Sequence, residues 1–232
     1  MVAGAPGSGK SVFAINMALA LDTPVLYLAQ DSPGSVMARV AALALGTPIQ
    51  YVIDELRDPE DKALLLEQLG DAYPELFIQS GAVTIEGIEN RLEALTEVCG
   101  LAPPLVVIDN LMDTLVPGSH SEEMAFFATV LPQLKQMAIR HDVCMMALHH
   151  VTRSGGSYGQ DKHGLGTMRL RMTDMRYSGE QVAEHVLGIY HNQQKDEMAV
   201  QILKQRDGDA DPDGGMYVRL GWHPRFGKLD RL

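Results

Sequence analysis

Cysteine is scarce in this chain: Cys99 and Cys144 are the only two in 232 residues, and each stands among apolar neighbours. Two isolated thiols exclude a disulfide framework and read as core residues of a protein kept in a reducing compartment. Long apolar runs are lacking too. No stretch approaches the roughly 20 residues of a bilayer-spanning helix, and the N-terminus lacks the basic region, apolar core and small-residue cleavage site of a secretion signal. The expected address is cytoplasmic, with no membrane partner. Positive charge is in deficit, with 19 Lys and Arg against 30 Asp and Glu and a formal net charge of −11. That balance excludes a broad basic face coating duplex DNA. There is no internal repeat, no low-complexity tract and no Cys/His set at zinc-ligand spacing. An apolar fraction of 46% suits one ordinary domain, expected to span 1–232.

What the chain does have is Gly4-Ala5-Pro6-Gly7-Ser8-Gly9-Lys10-Ser11, a complete G-x-x-x-x-G-K-[ST] loop. Glycines let such a loop curl its N–H groups inward onto phosphate oxygens. Lys10 is placed to reach the β- and γ-phosphates, and Ser11 to offer its hydroxyl to Mg²⁺. The run Ser11 to Leu21 reads as the following helix, whose N-terminus favours the anion. The nucleotide-binding run is therefore expected to be Gly4 to Val12, with ATP and Mg²⁺ as its ligands. Met1, Val2 and Ala3 alone precede the loop, so the strand feeding it is either very short or cut by a start inside a longer protein.

Short apolar runs alternate with amphipathic stretches, the pattern of a mostly parallel α/β sheet flanked by helices. Strands are expected at Val25–Ala29, Leu76–Ile78, Leu105–Asp109 and Val143–Leu148. Helices are expected at Gly34–Leu45, from an Asp58 N-cap with Pro59 at the first position, at Thr84–Val98 and at Ser121–Ile139. Three more runs, Val186–Tyr190, Met198–Leu203 and Met216–Leu220, are joined by turns rather than helices and predict antiparallel strands at one edge.

Chemistry-bearing residues cluster at the expected strand ends. Asp109 closes a buried strand and is the candidate second Mg²⁺ ligand beside Ser11. Asp31, just past Val25–Ala29, is the candidate to orient an attacking water, the alternative being a helix cap. His149 and His150 end another strand; neighbours on a strand point to opposite faces, so one of them is expected at the nucleotide. Arg153, Lys162, Arg169, Arg171 and Arg176 face only Asp161 and Asp174 in a Gly/Ser-rich stretch carrying Tyr158. They form a local basic track suited to a nucleic-acid backbone, the alternative being a solvated loop.

Read in order, Gly4 to Ser11, VLYLAQDSP (Val25–Pro33), LVVIDN (Leu105–Asn110), MMALHHVTR (Met145–Arg153), TDMRYSG (Thr173–Gly179) and ILKQRDG (Ile202–Gly208) resemble the motif series of the DnaB-type replicative helicase core, a branch of the RecA-like P-loop ATPases. The resemblance covers nearly the whole chain. It implies a RecA-like fold, with Asp31 as the water-activating acid, a position where family members usually carry glutamate. It puts the γ-phosphate sensor at His150 and assigns Lys204 and Arg206 to a pair that reaches into a neighbouring subunit's nucleotide. It also implies DNA contacts within Arg153 to Arg176 and a homo-oligomer, either a hexameric ring or a filament. The N-terminal domain and linker helix of the family's helicases are not part of this sequence.

The function expected is an Mg²⁺-dependent ATPase acting on DNA, with helicase or single-stranded DNA translocase as the family's output. Two other classes stay open. One is a metal-dependent DNA nuclease, suggested by the alternating acids Asp207, Asp209, Asp211 and Asp213. The other is a recombination or loading accessory that uses ATP binding as an assembly switch.

Overall fold

The computed structural model describes residues 1–115, 123–151, 170–175, 179–192 and 195–232. The chain runs β1 (Val2–Gly4), α1 (Lys10–Leu19), β2 (Val25–Ala29), α2 (Pro33–Leu45), α3 (Ile49–Glu55), α4 (Pro59–Ala72), β3 (Leu76–Ser80), β4 (Val83–Thr84) and α5 (Ile85–Cys99). It continues through β5 (Leu105–Asp109), β6 (Thr114–Leu115), α6 (Glu123–His141), β7 (Cys144–His150) and α7 (Gly179–Val182). The last strands are β8 (Val186–Asn192), β9 (Glu197–Lys204), β10 (Tyr217–His223) and β11 (Lys228–Arg231).

Nine strands form one sheet in the order β11-β10-β9-β8-β1-β7-β5-β2-β3. From β3 to β8 every pairing is parallel, and from β8 to β11 every pairing is antiparallel. This is the mostly parallel RecA-like sheet, flanked by helices, with an antiparallel edge.

The apolar runs are explained by burial on both faces. In β2, Val25, Tyr27 and Ala29 join one core cluster while Leu26 and Leu28 join the other; in β5, Leu105 and Val107 part from Val106 and Ile108 in the same way. Alternating side chains on a strand covered from both sides must all be apolar. Helices α1 and α2 cover the first face, and α5 with α6 the second.

Helix starts follow local chemistry. Asp58 Oδ1 accepts from the N–H groups of Glu60 (2.8 Å) and Asp61 (3.3 Å), and Thr84 Oγ1 from Gly87 (2.9 Å). Such caps satisfy first-turn amides that lack intrahelical partners. Helix α2 is capped by Ser32, whose Oγ accepts from Ser35 N at 3.3 Å, which leaves the Asp31 side chain out of that role.

One core expectation is corrected: Cys144 is exposed and Cys99 only half-buried. Cys144 opens β7, where the strand is still at the sheet margin; its buried stretch begins at Ala147. Among the described residues, no single helix is long and apolar enough to cross a membrane.

Candidate functional site

Strand β1 delivers the glycine-rich loop to the C-terminal edge of the parallel strands, and α1 leaves from it. Gly7 and Gly9 hold φ of +75° and +94°, left-handed values that favour glycine. A Cβ at Gly4 would stand 2.8 Å from Ile189 O and collide with Ser8 Oγ. Helix α1 has no side-chain cap and no acid in its first turn, so its leading N–H groups face the loop unneutralised. Ser8 Oγ is buried without a hydrogen-bond partner. Unpaired donors around a backbone-lined hollow are the makings of an anion cradle.

Lys10 is buried, at 6% exposure. Its Nζ donates to Gly4 O and Ala5 O, both at 3.0 Å, and lies 3.2 Å from His150 Nδ1. Burial lowers its pKa to about 8, with the Asp109 carboxylate opposing that shift. In β7, His149 is fully buried while His150 faces Lys10, as strand alternation requires.

Asp109 ends β5 beside this group. Its Oδ2 accepts from the Tyr27 hydroxyl at 2.8 Å. Burial, then the charge of Asp109, pushes the Tyr27 phenol well above its ordinary range, so Tyr27 stays a neutral donor that orients the carboxylate. The Ser11 hydroxyl and Asp109 carboxylate are hard oxygen donors at the mouth of the cradle, a set that fits Mg²⁺. Asp31 lies past the end of β2 at the same edge, exposed, in an ion pair with Arg39 of α2 at 2.6 Å. Next to it, Asn110 Nδ2 donates to Gln30 Oε1 at 3.3 Å, tying the ends of β5 and β2.

Lys204 and Arg206 lie elsewhere. Lys204 ends β9 opposite Val186, the first residue of β8, and β8 runs parallel to β1. The pair therefore sits at the sheet end away from the phosphate loop of its own chain. Arg206 is ion-paired with Glu184, which also binds Lys135 at 3.3 Å. The hydrogen bond from Lys135, with Arg206 adding its charge, keeps the Glu184 carboxyl below the usual range.

Of the basic track, Arg171 is exposed on a turn whose backbone is fixed by Asp174, Oδ2 accepting from Arg171 N at 2.8 Å. Arg153, Lys162, Arg169 and Arg176 lie outside the described residues. The acidic stretch is a turn braced by Asp211, whose carboxylate accepts from Asp213 N (2.9 Å) and Gly215 N (2.6 Å). Among the described residues, no three His, Cys, Asp or Glu side chains converge as metal ligands.

Sequence reasoning missed Tyr27 and Arg39. Tyr27 reads as one more apolar residue in a buried run, and Arg39 as one more charge on a helix.

A glycine-rich loop on a parallel strand, a following helix and a strand-end carboxylate define a P-loop nucleoside triphosphatase. Residues 1–156 match the AAA domain family, and the chain belongs to it; its class is that of the ATPases. It is similar to the gene 65 protein of Mycobacterium phage D29, 26% identical over 95% of this chain and 93% of that protein. The gene 65 protein of Mycobacterium phage L5 is 24% identical, over 95% of this chain and 81% of its own length. Two solved structures share the fold, each at a TM-score of 0.80 over the whole chain. One is a helicase ATPase domain, 22% identical with 83% of it covered. The other is a DnaB-like replicative helicase described with its primase interactions, 23% identical with 56% covered. The fold is thus that of the DnaB-like helicase ATPase domain. None of these relatives supports a nuclease.

Proposed function

We propose that this chain, as one ATPase domain, hydrolyses Mg²⁺-ATP in a homo-oligomer and uses the cycle to move on DNA, single-stranded by preference, as a DnaB-like helicase or translocase. The observation that carries this reading is the segregation of charge. Lys10, Asp109, Asp31 and His150 gather at one edge of the sheet, while Lys204 and Arg206 stand at the other. A head-to-tail ring or filament brings one subunit's second edge to the next subunit's first.

In this reading the loop amides and Lys10 hold the phosphates. Lys10 exchanges Gly4 O and Ala5 O for phosphate oxygens, and the arriving anion restores the charge that burial disfavours. Ser11 and Asp109 hold Mg²⁺, which neutralises charge on the phosphates when bound. Asp31 orients water, His150 registers the terminal phosphate, and Arg206 from the neighbour supplies planar, bidentate positive charge. Arg153, Lys162, Arg169, Arg171 and Arg176 carry the DNA backbone.

The test is phosphate release against protein concentration, with and without single-stranded DNA. Turnover per subunit that climbs with concentration and is stimulated by DNA is expected. Activity indifferent to both would sink the reading.

The Asp31–Arg39 ion pair favours one second reading, an ATP-binding assembly switch with little turnover. Its mark would be nucleotide-dependent oligomerisation with negligible phosphate release.

A further inference from the structure

The phosphate loop rests on side chains from the antiparallel edge. A Cβ at Gly9 would stand 2.6 Å from Met198 Cε of β9 and 2.8 Å from Trp222 Cη2 of β10. Both side chains are buried, Trp222 at 7% and Met198 at 0% exposure. The backbone at the start of α1 therefore lies directly on an indole and a thioether. The indole packs in turn on His191 of β8, ring centroids 3.7 Å apart and planes tilted by 50°. Burial holds the His191 imidazole below its ordinary pKa, so the ring is neutral at pH 7.

Trp222 Nε1 and His191 Nε2 are buried with no hydrogen-bond partner. Buried ring nitrogens ordinarily have one. Here the stack is held by packing alone, with no directional bond to fix the indole if the loop above it shifts. The surrounding frame is fixed: Asn16 Nδ2 donates to Val12 O and Gly227 O, both at 2.8 Å, and Asn16 Oδ1 accepts from Leu229 N at 3.0 Å. Helix α1 is thereby joined to the β10–β11 turn while the ring pair between them can give.

We propose that Trp222 is a positioning residue for the nucleotide: its indole sets the height of Gly9, hence the aim of the loop amides and of Lys10, and it shifts when phosphate fills the loop. The proposal rests on the ATP reading above. Amides that must converge on one anion tolerate little displacement, and a support that yields on one side moves them together.

The chain has a single tryptophan, so its emission reports this place alone. ATP and ADP are titrated against wild-type emission, with equilibrium dialysis of labelled ATP as an independent measure. A saturable emission change at the dialysis midpoint is expected. Trp222→Leu, folded by far-ultraviolet circular dichroism, is expected to raise the Kd and KM for ATP by about tenfold, and Trp222→Phe to recover most of that loss. His223→Gln, an exposed neighbour on the same strand, is expected to match wild type. Binding by dialysis with silent emission overturns the proposal alone, as does a folded Trp222→Leu that binds ATP like wild type. No binding by dialysis overturns the ATP reading and the proposal with it. The emission titration needs no variant, so a Trp222→Leu chain that fails to fold leaves the decision intact.

Discussion

Arg206 is ion-paired with Glu184 of its own chain, at the sheet end remote from Lys10. Both side chains are substantially exposed, and an exposed ion pair contributes only about 0–1 kcal/mol. A neighbour's triphosphate offers far more negative charge, so the guanidinium is readily given up on assembly. We predict that Arg206→Ala and Lys10→Ala are each inactive and that their mixture regains partial turnover, because some interfaces then join an intact loop to an intact arginine. Glu184→Gln, which loosens the hold on Arg206, should lower the protein concentration at which turnover is half-maximal. A mixture as dead as its parts would exclude action in trans.

Lys10 carries an ammonium buried against its own loop, and desolvation is why its pKa falls to about 8. Lys10→Met removes that charge and keeps the stem. It should abolish phosphate release while raising unfolding stability at pH 7, on the order of 1–3 kcal/mol. Chemical denaturation alongside a phosphate-release assay checks both halves. A destabilised Lys10→Met would mean that the two carbonyl bonds outweigh the burial of charge.

The Asp31 carboxylate sits 2.6 Å from Arg39, a contact that weakens it as a base. Asp31→Asn should retain ATP binding and lose about 10²-fold or more in kcat. Arg39→Gln should instead raise kcat a few-fold at unchanged ATP affinity, and Asp31→Glu should do the same by lengthening the reach. If Asp31→Asn turns over like wild type, another acid orients the water.

His191 is held neutral by burial, its pKa below the free value, with Asp196 opposing the shift. The unfolded chain therefore takes up a proton as pH falls through about 6.5 while the native state does not. Stability from this group is whole above that pH and declines below it. His191→Phe should flatten the acid side of a melting-temperature profile between pH 7 and 5. An unchanged profile would place the acid sensitivity elsewhere.

Much of the fold was legible because burial on both faces leaves a strand no polar choice: β2 and β5 were readable to the residue. The Asp58 cap was readable for the complementary reason, that its chemistry is local. Helix α3 follows Pro48 with no side-chain cap and runs only from Ile49 to Glu55, and β11 reads Lys-Leu-Asp-Arg, so neither carries a strong signal. Exposure of Cys144 turns on where β7 begins, which apolar neighbours do not tell. The loop and the strand-end acids stand out in sequence, whereas the contacts that orient them do not. Tyr27 meets Asp109, and Trp222 lies under Gly9, only once distant strands have paired.

Strand β1 lies in the middle of the sheet, Val2 paired with Leu148 on one side and Leu187 on the other. Made before every other strand of the sheet, it is thus among the last that can be placed, because its partners leave the ribosome only when most of the sheet has been synthesised. Contacts so distant along the chain carry a large loop-closure cost and slow folding. The phosphate loop hangs from that strand, so the catalytic edge matures after the remainder of the sheet, and a nascent chain halted before β8 has no finished nucleotide site to occupy.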